Sequence, residues 1–181
     1  MPRLFTGLEV PPEIGMLLST MRGGLRGARW IDPENYHITL RFIGDVDEHT
    51  ADEIANALDR VNRPPMPVTL EALGSFGSKK PHSIYVRVAP DPEIMELQAE
   101  HERIMQRIGL VAEGRKFTPH VTIARCKGAA AADVAHWLSL RGVFHTTVFT
   151  ARRFVLFSAR ASKGGGPYLV EEAYELNRFA A

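Results

Sequence analysis

The chain has 181 residues, and 22 lysines and arginines against 21 aspartates and glutamates leave a formal net charge of +1. At that length one domain is expected, burying about 70% of the surface its unfolded form exposes without a metal or disulfide staple. One cysteine, Cys126, excludes an intramolecular disulfide and suits a reducing, cytoplasmic compartment, and near-zero charge argues against a chain-wide footprint for duplex DNA.

No apolar run nears the roughly 20 residues of a membrane span, and Met1-Pro2-Arg3-Leu4-Phe5-Thr6 does not read as a signal peptide. Leu4 to Val10 is strand-like, and Pro11-Pro12-Glu13 opens a helix expected from Glu13 to Leu25, stopped by Gly23, Gly24 and Gly27. Asp32-Pro33-Glu34-Asn35 is turn chemistry before a strand from Tyr36 to Ile43. Ile54, Leu58 and Val61 recur at helical spacing between Asp47 and Val61. Strands are expected over Val68 to Leu73 and Ser83 to Val88, separated by a turn-rich stretch, Gly74 to His82. Asp91 to Leu110 is the longest helix, burying Ile94, Leu97, Ile104 and Ile108 and ending near Gly109. A strand at His120 to Arg125, a helix at Ala129 to Leu140 and a β-prone run from Val143 to Phe157 follow. Lys163-Gly164-Gly165-Gly166-Pro167 reads as a hairpin turn before a last strand, Tyr168 to Leu176. Hairpins mixed with helices, without strict βαβ alternation, make the chain α+β.

Two of these strands carry the pattern His-x-Thr-apolar: His37-Ile38-Thr39-Leu40 and His120-Val121-Thr122-Ile123. Residues two apart on a strand share a face, so each strand sends an imidazole and a hydroxyl to one side and two aliphatic groups to the other. Side by side, the two strands converge two imidazoles and two hydroxyls on one cavity. That set suits a phosphodiester. One histidine takes a proton from the nucleophile, the other gives one to the leaving oxygen, and the hydroxyls donate to the non-bridging oxygens. An imidazole pKa near 6.5 allows one ring to be neutral and one cationic around neutral pH. Chance placement of the chain's seven histidines predicts less than one such pattern; there are three, because His145-Thr146-Thr147 also fits. Parity sets His145 with Val143 and Phe149 on a mixed face that suits a structural histidine.

The blocks Arg3-Leu4-Phe5, Trp30-Ile31, His37 to Gly44, Gly74-Ser75-Phe76, Phe117-Thr118-Pro119-His120 through Arg125, Ser158 and Pro167-Tyr168 occur in that order. Together the chain resembles the 2H phosphoesterase superfamily almost end to end, in particular its RNA 2′,3′-cyclic phosphodiesterase branch, the 2′-5′ RNA ligase family. The resemblance implies a bilobal α+β fold, with two mainly antiparallel sheets and outer helices around a V-shaped cleft. Residues 1–181 would form one domain of two pseudo-symmetric lobes, each giving one His-x-Thr strand. It implies opening of a terminal RNA 2′,3′-cyclic phosphate to a 2′-phosphate without metal or other cofactor. His37 would be the proton donor to the 3′ oxygen, His120 the proton acceptor that activates water, and Thr39 with Thr122 the phosphate ligands. Nothing in the residues themselves says which histidine is acid and which base.

Phe42 and Arg125, five positions after each histidine, match family residues that stack on the terminal base. Simple parity turns both to the opposite face, a conflict that a bulge would resolve. Arg41 shares the His37 face by parity and is a candidate for RNA phosphate. Lys79-Lys80, Arg152-Arg153 and Lys163 are candidates to ring the cleft, whereas Trp30 and Tyr36 are expected to pack. No clustered ligand set for zinc or iron is present, the glycine run lacks the Gly-Lys-Ser/Thr of a P-loop, and Cys126 reads as a packing residue. Two rivals stand beside hydrolysis: the same site run toward 2′-5′ ligation of tRNA halves or another cyclic nucleotide, and an RNA-end-binding module without turnover. The expected partner is an RNA end, with no duplex DNA and no membrane, and the chain is expected to act as a monomer.

Overall fold

The computed structural model describes residues 2–141, 143–159 and 166–177. The expected turn residues Lys163, Gly164 and Gly165 lie outside them. Strands β1 (Arg3–Glu9), β2 (Ala28–Trp30), β3 (His37–Asp45), β4 (Met66–Phe76), β5 (Ser83–Val88), β6 (His120–Cys126), β7 (Thr147–Ala151), β8 (Arg153–Ser158) and β9 (Leu169–Glu175) alternate with α-helices. Among the described residues these helices are α1 (Pro12–Ser19), α2 (Glu48–Leu58), α3 (Pro92–Ile108) and α4 (Ala131–Leu140). None is long and apolar enough to cross a membrane.

All strand pairs are antiparallel, and the hydrogen-bonded order is β7-β4-β5-β6-β3-β1-β8-β9, with β2 beside β6. Among the described residues, the two sheets implied by the resemblance are thus joined as one nine-stranded sheet. They meet at a narrow seam, because β3 and β6 share a single residue pair, Ile38 with Val121. Both of these side chains are fully buried in the main core. The seam is therefore held by apolar contact beneath the sheet and by little main-chain pairing.

Local chemistry explains where the elements stop. Asp47 caps α2 by accepting from the Thr50 N–H at 2.7 Å. Pro92 and Glu93 open α3, Arg107 lies in its last turn, and Gly109 closes it at φ +110°, a left-handed conformation glycine adopts freely. Helix α1 ends at Ser19, short of the expected Leu25. The Ser19 and Thr20 hydroxyls each take a carbonyl three residues back, at 2.6 Å, and so compete with the helical ladder. The long run from Val143 to Phe157 is split at Arg152, since β7 pairs with β4 and β8 with β1 at the other end of the sheet. His145 lies ahead of β7 and is exposed, so it has neither the strand position nor the partial burial expected of it.

Candidate active site

With Ile38 opposite Val121 in an antiparallel pair, His37 falls across from Thr122 and Thr39 across from His120. The four side chains surround the seam, with the two imidazoles on one diagonal and the two hydroxyls on the other. The middle residue of each motif knits the halves together, and its neighbours are delivered to the opposite face. Backbone supports this closeness. Gly7 lies opposite Thr39, and a Cβ there would come within 2.6 Å of the Ile38 carbonyl oxygen.

The two motifs repeat one burial sequence from the histidine onward: half-buried, buried, half-buried, buried, buried, exposed. The two successive buried positions mark a bulge in each strand. Gly7 pairs with Thr39 and Thr6 with Arg41, so Leu40 is the extra residue in β3. Tyr85 pairs with Thr122 and Ile84 with Ala124, so Ile123 is the extra residue in β6. A bulge resets the alternation of the residues after it. Phe42 and Arg125 therefore return to the histidine face, and Phe42 sits opposite Phe5 with the Arg3 guanidinium over its ring at 5.2 Å.

The same bulge overturns the expectation for Arg41. Parity would have left it beside His37, but it is turned inward and is only 6% exposed. Its guanidinium donates to Glu102, to the Phe42 carbonyl and to the Val111 carbonyl. Glu102 also accepts from Gln106 and from the Glu113 N–H, both at 2.9 Å. Burial works against the Glu102 charge, and these donors outweigh it, holding the carboxyl below its usual range. Arg41 is a buried anchor of the bulge and presents nothing to the cleft. At the matching position β6 carries Ala124, fully buried and uncharged.

Both histidines are oriented in the same way. His37 Nδ1–H donates to the Asn35 carbonyl at 2.9 Å, and His120 Nδ1–H to the Thr118 carbonyl at 2.6 Å. In the neutral ring this leaves Nε2 as the acceptor nitrogen, and the Thr39 hydroxyl lies 3.0 Å from Nε2 of His37. Aromatic rings stand behind each imidazole. Phe5 and Tyr168 lie 5.0 Å and Phe157 5.6 Å from His37 between ring centroids. Phe76 lies 4.9 Å and Tyr85 5.5 Å from His120. Gly74 makes room for this second wall, since a Cβ there would meet the Tyr85 ring at 2.7 Å.

These walls set the electrostatics. Desolvation lowers the His37 pKa to about 4, aided by repulsion from His120 and Arg125 and opposed by the Asn35 carbonyl. His120 is lowered too, mainly by burial and further by Arg125. The free site thus favours two neutral rings. Sequence reasoning missed the aromatic walls. Phe5, Phe76 and Tyr168 stand in blocks that carry the resemblance without a role attached, and Tyr85 and Phe157 gave no signal at all.

Arg153 grips Glu9 through two bonds of 2.6 and 3.0 Å, Arg152 is exposed, and Lys79 and Lys80 lie exposed after β4. Trp30 packs against Trp137, and Tyr36 is buried. Cys126 is half-buried against the core, which pushes its thiol up. Among the described residues no three metal-ligating side chains cluster. A cavity of about 820 Å³ opens beside His37, toward Pro11, Glu13 and Tyr168, and does not include His120.

A protein of Aeropyrum pernix named RNA 2′,3′-cyclic phosphodiesterase is 40% identical over 101 residues, which is 55% of this chain and 57% of that one. Proteins of the same name from Thermotoga maritima and Methanocaldococcus jannaschii are 35% and 32% identical. Each match covers 69% of this chain, and respectively 70% and 72% of the relative. The fold matches a crystal structure from Thermus thermophilus at a TM-score of 0.79 and 21% identity, covering 97% of this chain and 98% of the other. Escherichia coli LigT complexed with 3′-AMP matches at 0.76 and 19%, covering 97% of this chain and 99% of the other. The sequence profile described as LigT like Phosphoesterase matches twice, over residues 8–85 and 86–168, each stretch holding one His-x-Thr strand. This chain belongs to the LigT-like phosphoesterase family.

Proposed function

We propose that the protein hydrolyses the terminal 2′,3′-cyclic phosphate of RNA to a 2′-phosphomonoester by two-histidine acid–base catalysis. The observation that carries this reading is the diagonal pair of imidazoles around the Ile38–Val121 seam, each held through Nδ1 so that Nε2 is the nitrogen left for proton transfer. The names of the curated relatives supply the substrate.

In this scheme His120 Nε2 takes a proton from water, whose oxygen bonds to phosphorus. The P–O3′ bond breaks, and Nε2–H of His37 protonates the departing 3′ oxygen. Thr39 and Thr122 donate to the non-bridging oxygens as charge builds there. Phe42 and Arg125, brought to the same face by the bulges, hold the terminal base by stacking. Each half supplies one histidine, so residues 1–181 act as one unit, which we take to be a monomer working in the cytoplasm.

The test is incubation of an oligonucleotide 2′,3′-cyclic phosphate with the protein in EDTA. Ring opening to a 2′-phosphate is expected, with turnover abolished by His37→Ala or His120→Ala. Thr39→Val or Thr122→Val should cost about ten- to a thousand-fold in kcat, the range of one transition-state donor. Full activity of either histidine variant sinks the mechanism, and binding without ring opening favours a module that only holds RNA ends.

A further inference from the structure

The aromatic wall behind His120 continues outward to a side chain that the chemistry above does not use. Phe76 stands against His120, with ring centroids 4.9 Å apart and planes at 76°. The same Phe76 ring is stacked on Tyr85 at 4.2 Å and lies nearly parallel to His82, with 13° between planes, at 6.1 Å. The His82 ring is therefore no farther from His120 than the steps of 4.9 and 6.1 Å laid end to end. Phe76 and Tyr85 are half-buried, and His82 is exposed. The column thus runs from a catalytic imidazole to a second imidazole open to solvent.

Main-chain bonds fix the place of that outer ring. The His82 N–H donates to the Phe76 carbonyl at 3.0 Å, and the His82 carbonyl accepts from the Cys126 N–H at 2.9 Å. Cys126 directly follows Arg125, whose charge both catalytic histidines feel. Ser83, opposite Arg125 across the β5–β6 pair, sets its hydroxyl 3.4 Å from Nδ1 of His82. The turn before the ring is tight. A Cβ on Gly77, at φ +87°, would collide with the Lys80 carbonyl oxygen and come within 3.0 Å of His82 Cδ2. Lys79 and Lys80, in the same turn, are exposed and have no ion-pair partner among the described residues.

Single-stranded RNA is held by rings on which successive bases stack, beside cations that follow the phosphates. A ring on a fixed backbone, with an aromatic support and two lysines in its own turn, has that make-up. Phe76 and Tyr85 reach His120, and His82 joins the column one ring farther out. We propose that the His82 ring is the stacking platform for the base of the nucleotide on the 5′ side of the terminal one. This rests on the phosphodiesterase reading above. His82 is a binding residue and takes part in no bond change.

The experiment compares initial rates on three substrates ending in the same nucleoside 2′,3′-cyclic phosphate: that nucleotide alone, a dinucleotide, and the dinucleotide with its 5′ base removed. His82→Ala is expected to raise KM for the intact dinucleotide about five- to a hundredfold, the reach of one base stacked on an aromatic side chain. KM for the other two substrates, and every kcat, should stay at wild type. His82→Trp keeps a flat ring and should recover most of the loss, whereas His82→Gln keeps only hydrogen-bonding groups and should not. Equal effects of His82→Ala on all three substrates, no effect on the intact dinucleotide, or rescue by glutamine in place of tryptophan overturns the proposal. A wild-type protein that opens none of the three overturns the phosphodiesterase reading itself.

Discussion

The free site holds both imidazoles neutral, and this makes its pH dependence informative. His37 is lowered to about 4 by its aromatic surroundings, and at that value about one ring in a thousand is protonated at pH 7. His120 is also lowered below 6.5. The two rings repel each other and titrate as a pair with two macroscopic values. Turnover needs one ring charged and one neutral. The bell of kcat/KM, which reports the free protein, must therefore centre on the acid side of pH 6.5 and fall about tenfold per unit above its upper limb. A bound phosphodiester brings a negative charge to both rings. At 4 Å and an effective dielectric of 20 the attraction is on the order of 4 kcal/mol, or about three pKa units. The bell of kcat, which reports the bound state, should accordingly move toward neutral pH. Initial rates between pH 4 and 9 across a range of substrate concentrations separate the two profiles. Coincident bells, or a kcat/KM maximum above pH 7.5, would refute the reasoning from aromatic desolvation.

Two further outcomes follow from groups away from the reacting atoms. Arg41→Met strips the Glu102 carboxylate and two carbonyls of their donor, and urea unfolding should show a loss of about 3–5 kcal/mol; the double variant Arg41→Met, Glu102→Gln should recover part of it, whereas an unchanged midpoint would mean Arg41 is not an interior anchor. His101 is fully buried against Thr6 and Phe154, and burial, reinforced by Arg63, lowers it to about 3. Its native ring stays neutral while the unfolded one gains a proton below about pH 6.5. Its contribution is therefore complete above 6.5 and is lost as pH falls toward 3, at up to about 1.4 kcal/mol per unit. Replacing both partners, Thr6→Val with His101→Leu, should flatten the difference in urea midpoint between pH 5 and pH 7; an unaltered difference would exclude His101 as the source.

Much of the site was legible in the residues because its key geometry is local. His37 with Thr39, and His120 with Thr122, share a strand face by the two-residue repeat alone, and the apolar residue between them marks the buried side. Helix ends at Asp47 and Gly109 are likewise set by groups within a turn of where they act. These are short-range facts, and short-range facts are written in sequence.

Periodicity failed where register took over. Leu40 and Ile123 look like ordinary strand residues, and only pairing with β1 and β5 makes each the extra one. Those two slips, one in each strand, sent Arg41 inward to Glu102 and turned Phe42 and Arg125 toward the histidines. The rings around His37 come from β1, from β8 and from Tyr168 just ahead of β9, so Phe5 meets the other two only through the sheet. A composition of 22 basic and 21 acidic residues said nothing about Arg125 standing close enough to repel both histidines. The chain by itself determined which groups share a strand face. Tertiary structure decided which strands lie side by side, and hence which charges are buried, which rings are desolvated and which way each side chain points after a bulge.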